Sequence, residues 1–556
     1  MKRNLWKVRP LDSRIKDLAV KYNIPAFLVQ IFLNRRVKEE DFVSFLNPTA
    51  DDFHDPYLLS DIHKAAIRLK EAVAQEQKVF IFGDYDVDGI TSLSIFNEFA
   101  KNYPHIFSFY IPHRVNEGYG LNREFIMQAK EEGFSLIVTF DCGTNSYEEI
   151  ELARSFGIDV IVIDHHNPKE DLIKPFAFIN PKRKDQKYPF PELSAGALAF
   201  KFLQVLTGSS CHEVLDLVAL SLVCDVVPLI GENRTLLKEG LKVIRESQRY
   251  SIKSLCKIAG IKQENIDVFH IGFILGPRIN ASGRVAHPQD SLELFFAKNQ
   301  DKADEIATRL SEYNRLRRGI EAQILKEAER KVEEYSVCDP AIVVAGDNWH
   351  LGVLGIVASR LTDKYNRPSF VISFDENIGK GSARSTQNVH LLDILDECAE
   401  SLILYGGHSK AAGVHIAKDE LENFREKINS YIENNLKPQD LVPSIDVDAE
   451  LNFKDIDIEF VEWMEKLKPY GEGNSRPLFV THNIFKKSPP KKIKSYFSLW
   501  LSDGDKTFEG IIYRKDLLEI IDYGVNLDIV FCLDKNHYHN IPRLLIRDCR
   551  LTDDER

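Results

Sequence analysis

A repeated pattern of strands followed by carboxylates constrains this chain more than any other feature. From residue 78 to residue 163, apolar runs typical of buried strands alternate with helical segments: KVFIF, SFYIP, SLIVTF and DVIVI. Strands that alternate with helices predict a parallel sheet covered by helices on both faces. We therefore predict an α/β fold for this part of the chain.

Three of these runs end in side chains that can bind metal ions. Ligands of open parallel sheets bind just beyond the carboxyl ends of the strands. A single Asp after a strand is commonly a cap or turn residue, but several convergent carboxylates repel one another unless cations neutralise them. The residues at these ends are Asp84, Asp86, Asp88, Asp141, Asp164, His165 and His166, and Asp225 closes a fourth segment.

The mixture of Asp and His donors indicates which ions would bind. It favours Mn²⁺ or Mg²⁺ over a structural zinc, which would prefer thiolates. Two such ions bridged by a carboxylate are the usual device for hydrolysing phosphate esters. No GxSxG elbow supports a nucleophilic serine. The residues themselves thus predict a metal-dependent phosphoesterase.

Size and composition limit the architecture and the compartment. The 556 residues exceed one core, so we expect three or four domains of ~150 residues each. No apolar run approaches the ~18 residues of a membrane span. The eight cysteines contain no CxxC pair, which excludes a zinc knuckle and fits a reducing, cytoplasmic location. The net charge of −12 argues mildly against nucleic-acid binding, although local patches decide it.

One basic segment stands out in this acidic chain. Residues 482–496, HNIFKKSPPKKIKSY, carry five lysines and no acid. A solvated loop is the default interpretation. The neighbouring aromatic side chains Phe485, Tyr496, Phe497 and Trp500 favour a surface that binds a nucleic-acid strand.

The remaining segments suggest further domains. Residues 1–45 show helical spacing, and residues 301–335 form a long, charged helical stretch suited to bridging two domains. A second block of alternating strands and helices begins at residue 341. After about residue 440, strands and turn signals dominate, which predicts a small β-barrel or a sandwich.

Several motifs together resemble a known family. GDYDVDGITS, VTFDCG, IVIDHH and CDVVPL, in that order, resemble the four motifs of the DHH phosphoesterases, and GKGSARS and YGGHSKAAGVHI resemble the associated DHHA1 domain. NEGYGLN, GPRINASGR, WHLGVLGIVASR and KPYGEGNSRPLF narrow the resemblance to the RecJ family of bacterial single-strand-specific exonucleases. The resemblance covers nearly the whole chain.

The resemblance implies an α/β architecture of two αβ domains, DHH with a parallel sheet and DHHA1, joined by a long helix and followed by a C-terminal OB-like β-barrel. The implied boundaries are 1–45 for an N-terminal helical segment, 46–290 for the DHH domain, 291–338 for the connecting helix, 339–436 for the DHHA1 domain and 437–556 for the OB-like nucleic-acid-binding domain.

It also implies roles for the residues of the metal site. Two Mn²⁺ or Mg²⁺ ions would be held by Asp84, Asp86, Asp141, His165 and Asp225, with Asp141 as the bridge. His166 would approach the scissile phosphate, and Asp164 would orient an imidazole. Asp88 would either bind metal or hold the loop, and we favour the loop. Some relatives place a His shortly before the first Asp, where this chain has Phe80, Phe82 and Gly83, so one ion would be held more weakly or by water.

Five further residues match family positions lining the cleft between the two αβ domains: Arg114, Arg278, Asn280, Ser382 and Arg384. The glycine-rich settings GPRIN and GSARS let the backbone approach a phosphate closely. His408, in GGH, would either serve a phosphate or cap a helix ended by Gly406 and Gly407.

The implied activity is a 5′→3′ exonuclease that hydrolyses single-stranded DNA to 5′-mononucleotides by a two-metal-ion mechanism, in DNA repair and recombination. The expected partners are single-stranded DNA, a helicase and a single-strand-binding protein, and the chain is expected to be monomeric. One alternative is a phosphodiesterase of nanoRNA or cyclic dinucleotides, but those relatives lack the N-terminal segment and the OB-like module. The other is a non-enzymatic scaffold, which would have lost metal ligands, whereas all four motifs are intact here.

Overall fold

The computed structural model describes residues 4–114, 117–118, 120–169, 173–336, 339–523, 526–536 and 541–552. Asn116 and Tyr119 of the NEGYGLN motif lie outside the described residues. The chain forms two compact units. The first unit comprises residues 1–53, 228–238 and 443–556, and the second comprises residues 54–227 and 239–442.

The strands are β1 (Leu5–Val8), β2 (Val79–Gly83), β3 (Phe107–Tyr110), β4 (Leu136–Phe140), β5 (Asp159–Ile163), β6 (Ala177–Ile179), β7 (Ile342–Asp347), β8 (Ser369–Asp375), β9 (Ile378–Arg384), β10 (Leu404–Gly407), β11 (Ala411–Ala417), β12 (Ser444–Val447), β13 (Ala449–Glu450), β14 (Phe479–Lys486), β15 (Lys491–Ile493), β16 (Tyr496–Ser502), β17 (Thr507–Ile512), β18 (Leu527–Asn536) and β19 (Ile541–Leu551).

The α-helices are α1 (Ile15–Tyr22), α2 (Ala26–Asn34), α3 (Phe42–Leu46), α4 (Ile62–Ala74), α5 (Val87–Ala100), α6 (Arg123–Glu131), α7 (Tyr147–Ser155), α8 (Ala195–Thr207), α9 (Leu215–Cys224), α10 (Gly231–Glu246), α11 (Tyr250–Ala259), α12 (Gly276–Val285), α13 (Gln289–Phe295), α14 (Gln300–Lys331), α15 (Leu351–Tyr365), α16 (Leu391–Glu397), α17 (Leu421–Asn435), α18 (Ile458–Lys466) and α19 (Asp516–Tyr523).

The second unit contains the predicted parallel sheet, in the order β3-β2-β4-β5-β6. All four neighbouring pairs are parallel. Strands β2 and β4 are buried along their whole length, which explains why they read as continuous apolar runs. Their carboxyl ends and that of β5 lie at one edge of the sheet, so Asp84, Asp141 and Asp164 follow neighbouring strands. The predicted α/β class is confirmed.

A second sheet in the same unit has the order β10-β11-β9-β8-β7. Strands β7 and β8 are parallel, and the other neighbours are antiparallel. Helix α15 packs on one face around Val371, and α16 and α17 pack on the other around Phe370 and Ile372. The predicted long helix is present as α14, which precedes this sheet in the chain.

The first unit is built on the strand order β13-β14-β18-β19-β17-β16-β15. Because β14 also pairs with β16, five of these strands close into a ring. Of the two predicted folds, barrel and sandwich, this domain therefore forms the barrel. Helices α2 and α3 contribute Leu28, Phe32 and Phe42 to the same core as Phe479 and Phe531. The first described element is strand β1, paired in parallel with β12, which the helical pattern of residues 1–45 did not predict.

Within the described ranges, the structure contains no helix with the length and apolar character needed to cross a membrane.

Candidate metal centre and phosphate cleft

A tight turn joins β2 to α5 and places two aspartates at the sheet edge. Asp86 is the N-cap of α5, and its carboxylate accepts hydrogen bonds from the N–H groups of Asp88 (2.8 Å) and Gly89 (3.2 Å). A Cβ at Gly89 would lie 2.3 Å from the carbonyl oxygen of Asp84. Glycine is therefore required at position 89, because the helix begins directly against the backbone of the preceding aspartate.

The next strand presents Asp141 from an unusual backbone conformation. Its φ is 63°, in the left-handed region that Asp tolerates better than most residues. Its N–H donates to the carbonyl of Ile163 on β5 (3.0 Å). This bond aligns the end of β4 with Asp164, His165 and His166, which follow β5.

The predicted metal ligands converge on one point. His165 Nε2 lies 3.2 Å from Oδ1 of Asp141, 3.5 Å from Oδ2 of Asp225 and 3.6 Å from Oδ2 of Asp88. In two groups of three residues, the candidate ligand atoms all lie within 4.8 Å of one another. These groups are Asp84 with Asp86 and Asp141, and Asp88 with His165 and Asp225.

The electrostatics of this cluster fit bound cations. Burial, and then the charges of neighbouring carboxylates, raise the pKa values of Asp84, Asp141 and Asp225 well above their usual range. Asp84 Oδ1 and His165 Nδ1 are buried, and within the described part of the chain neither has a hydrogen-bond partner. Buried polar atoms are ordinarily paired. Oxygen-rich donors with one or two imidazoles suit Mn²⁺ or Mg²⁺.

Asp164 holds His166 in place. Its Oδ1 lies 2.7 Å from Nδ1 of His166, and its carboxylate also accepts from the N–H groups of Thr144 (2.9 Å) and His165 (2.7 Å). Although burial opposes it, this hydrogen bonding lowers the pKa of Asp164. The same bond outweighs burial and raises the pKa of His166, whose side chain is 44% exposed. His166 is thus an oriented imidazole that solvent can reach.

The carboxylate of Asp88 forms hydrogen bonds within the protein. Its carboxylate accepts hydrogen bonds from the N–H groups of Ala195 and Gly196, each at 2.8 Å, and from the hydroxyl of Ser221. The two amides are the first of helix α8, where an anion is favourable. This arrangement supports the loop-holding role of Asp88.

Two arginines from distant parts of the chain come together at the cleft. Arg384 ends β9, and its guanidinium packs so closely on α15 that a Cβ at Gly355 would lie 2.8 Å from Nη2. Burial and then the positive charge of Arg114 lower the pKa of Arg384. Arg114 itself lies over the ring of Tyr85, 4.9 Å from its centroid. Ser382 lies two residues before Arg384, on the same face of β9.

His408 lies in the turn between β10 and β11. Its N–H donates to the carbonyl of Ala411 (2.8 Å), and Gly406 and Gly407 belong to strand β10. The helix-capping alternative for His408 was wrong, because the glycines that suggested a helix end form a strand end. Burial and then the charges of Arg384 and His166 lower the pKa of His408, which places the imidazole near both.

Asn280 and Arg278 lie on α12 but serve different surroundings. Asn280 Oδ1 accepts from the N–H of Val87 (3.2 Å) and so supports the aspartate turn. Arg278 donates to the carbonyl of Ile274 (2.7 Å) and lines a cavity of about 380 Å³ with Arg315 and Arg318. Among the described residues, Arg278 bonds to no other predicted site residue. Its role in the cleft stays a prediction.

Two residues at the site were missed from the sequence. Arg284 donates to the carbonyl of Gly352 at the start of α15 (3.1 Å), and burial, with the charges of Arg114 and Arg317, lowers its pKa to about 9. It stands in the motif GPRINASGR, which could have identified it. The charge of Lys182 acts on His165 and on Asp225, and no motif marked it.

Comparisons with known proteins agree with this geometry. The profile of the DHH family, N-terminal domain, matches residues 78–222, that of the DHHA1 domain residues 339–434, and that of the RecJ OB domain residues 447–548. The Bacillus subtilis single-stranded-DNA-specific exonuclease RecJ is 33% identical over 99% of this chain and 71% of its own length.

Two crystal structures resemble the fold. That of RecJ in complex with Mn²⁺ from Thermus thermophilus has a TM-score of 0.83 at 24% identity, covering 98% of this chain and 79% of that one. That of an exonuclease RecJ bound to manganese has a TM-score of 0.61 at 29% identity, covering 68% of this chain and 96% of that one.

Proposed function

The chain belongs to the RecJ family of DHH phosphoesterases, and from this premise we propose that it hydrolyses single-stranded DNA from the 5′ end and releases 5′-mononucleotides. The observation that carries the proposal is the convergence of His165 with Asp141 and Asp225 at the sheet edge, near a cleft that contains Arg114 and Arg384. The first group suits divalent ions, and the second suits phosphate oxygens.

We propose that Asp84, Asp86, Asp141, His165 and Asp225 hold two Mn²⁺ or Mg²⁺ ions. When bound, such ions supply Lewis-acid polarisation of water and of the phosphoryl oxygens. The buried Oδ1 of Asp84, which has no hydrogen-bond partner among the described residues, supports this donor set.

The remaining residues act on the substrate. Asp164 fixes the ring of His166 through the 2.7 Å hydrogen bond, and the raised pKa of His166 keeps a proton available to donate to a phosphate oxygen. Asp88 holds the start of α8 against the metal-site turn. Arg284 links the motif on α12 to α15, so it positions the two walls of the cleft.

The 5′ polarity would come from Arg114, Ser382 and Arg384. Two guanidiniums beside a hydroxyl offer charge-assisted and bidentate bonds to a terminal phosphate, which carries more negative charge than an internal phosphodiester. A strand would therefore enter with its 5′-phosphate held at β9, while the first internal phosphodiester lies toward His166.

The deciding experiment is product analysis with Mn²⁺ on single-stranded DNA labelled at either the 5′ or the 3′ end. A 5′ label should appear at once as mononucleotide, while a 3′ label should remain in long fragments until late. A dinucleotide substrate distinguishes the nanoRNA alternative, since preference for it over a long strand would contradict the proposal. Inactivity of the metal-loaded protein on every strand would instead indicate a scaffold.

We also propose the boundaries 1–45 for the N-terminal helical segment, 46–290 for the DHH domain, 291–338 for the connecting helix, 339–436 for the DHHA1 domain and 437–556 for the OB-like domain. The cysteines of the described part are all free thiols, which supports the proposed cytoplasmic location. The proposed partners, beyond single-stranded DNA, are a helicase that supplies unwound strands and a single-strand-binding protein, acting on a monomer.

A further inference from the structure

One face of the β10-β11-β9-β8-β7 sheet in the second unit is partly uncovered. Helix α15 covers this face around Val371 on β8. In the row of Val371, the outer strands carry glycines on the same face, Gly413 on β11 and Gly406 on β10. A Cβ at Gly406 would meet nothing within 4 Å, and a Cβ at Gly413 would meet only the carbonyl oxygen of Gly381, at 3.9 Å. The face is therefore open to a ligand at these positions.

The strand register places this uncovered face next to Ser382 and Arg384, which we propose bind the 5′-phosphate. Ser382 pairs with Gly413, which pairs with Gly406. In the neighbouring row, Lys380 pairs with His415, which pairs with Leu404. Cross-strand partners share a face, as do residues two apart. Lys380 and His415 thus lie on the face of Ser382 and Arg384, with Lys380 ~6.6 Å from Ser382 along the strand.

Lys380 and His415 have no evident structural task. Lys380 is exposed, and His415 is partly exposed. Across the described ranges, neither side chain forms a hydrogen bond or an ion pair. Burial and then the charge of Lys380 lower the pKa of His415, so the two groups are close together. An unpaired cation beside an imidazole on an uncovered sheet face suits an anion.

Resting on the proposed function, in which Arg114, Ser382 and Arg384 hold the terminal 5′-phosphate, we propose that this face receives the additional phosphates of a strand with a 5′-di- or triphosphate end. Lys380 and His415 would donate to the outer phosphates, and Gly413 and Gly406 leave the path between them clear.

The chemistry of the reaction is unchanged by this extension. The water oxygen bonds to the phosphorus of the first internal phosphodiester, and the bond from that phosphorus to the 3′ oxygen breaks. The first nucleotide leaves with a 3′-hydroxyl and an intact 5′-triphosphate, and the shortened strand keeps a 5′-phosphate. No phosphoanhydride bond is broken.

The test uses one oligodeoxynucleotide with either a 5′-monophosphate or a 5′-triphosphate, the full chain and Mn²⁺. Wild type should cleave both oligodeoxynucleotides, with kcat/KM values that differ by less than about tenfold. The first product from the 5′-triphosphate strand should be a nucleoside triphosphate. Lys380→Gln should lower kcat/KM about tenfold on the triphosphate end and less than about twofold on the monophosphate end. Gly406→Val should act in the same direction by filling the uncovered face.

A matched control is Lys418→Gln, because the ammonium of Lys418 pairs with Asp347 (3.1 Å) and lies over the ring of Phe374. Lys418→Gln should leave kcat/KM unchanged on both substrates. Rejection of the triphosphate end by an enzyme active on the monophosphate end would overturn this inference alone. So would release of pyrophosphate with a mononucleotide, or equal losses on both ends in Lys380→Gln. Inactivity of wild type on both ends would overturn the proposed function as well.

Discussion

His165 Nε2 lies 3.2 Å from Oδ1 of Asp141, although 24 residues separate them in the chain. The parallel pairing of β4 with β5 creates this contact, and it connects the two groups of candidate metal ligands. The role of Asp141 is therefore the most direct test of the metal centre.

We expect Asp141→Asn to remove nearly all nuclease activity while leaving the fold intact. Asn tolerates the φ of 63°, whereas Ala would add strain. Without metal, the variant should melt higher than wild type, because burial and four neighbouring carboxylates disfavour the charge of Asp141. Nuclease assays and thermal melts with and without Mn²⁺ measure both effects, with the exposed Asp185→Asn as control. More than about a tenth of the wild-type rate would exclude Asp141 as a bridging ligand.

Asp88→Asn should reveal a structural role instead. The carboxylate caps α8 through two buried amides, and an amide side chain cannot accept from both with equal strength. We expect a loss of about 1–3 kcal/mol in the free energy of unfolding without metal. Denaturant titration of the metal-free protein measures it. An unchanged metal-free stability, combined with loss of Mn²⁺ stabilisation, would make Asp88 a ligand.

Arg384→Ala should act mainly on strands with a 5′-phosphate. The expected loss is ~1.5–3 kcal/mol, or about one to two decades in kcat/KM, since the group makes charge-assisted hydrogen bonds. On 5′-hydroxyl strands the change should be much smaller. The measurement compares wild type, Arg384→Ala and the control Arg360→Ala on both ends. Equal losses on the two ends would show that Arg384 contacts an internal phosphate or supports the fold.

The basic segment 482–496 can be tested by salt dependence. The structure places Lys491 and Lys492 on β15, at the edge of the barrel sheet, where lysines also prevent edge-to-edge association. Changing the five lysines to Gln should lower the slope of log K against log salt by ~0.7 for each lost phosphate contact. Fluorescence anisotropy with a single strand at several salt concentrations measures it. An unchanged slope, with increased light scattering, would favour the edge-protecting role.

Arg234 should be essential to the stability of the first unit. It is buried, and no carboxylate of the described residues pairs with it. Its guanidinium donates to the backbone carbonyls of Phe45, Lys466, Leu467, Lys468 and Pro469. Arg234→Met would leave these acceptors unsatisfied and should cost about 3–5 kcal/mol. Arg234→Lys, with three donors, should lie between. Unfolding monitored by tryptophan fluorescence, to which Trp6, Trp463 and Trp500 of the first unit contribute, measures both, and a loss below about 1 kcal/mol would contradict this role.

Much of the metal site was predictable because its cause is local. Each of β2, β4 and β5 is an apolar run followed directly by Asp84, Asp141 or Asp164, and parallel strands bring such positions to one edge. The barrel and the long helix α14 were predictable for the same reason. In each case, the residues that set the apolar pattern of the element and the residues that end it lie within a few positions of one another in the sequence.

The sequence by itself thus determined which elements form and which side chains stand at their ends. Only the tertiary structure decided that Asp88 caps α8, that Arg114 and Arg384 share a cleft, that β1 pairs with β12 and that His408 lies in a strand turn. The first three of these outcomes depend on contacts between positions about 107 to 439 residues apart. Local propensity contains no term for such distant contacts, since they form only when burial and hydrogen bonding across the whole unit offset the entropy of closing long loops.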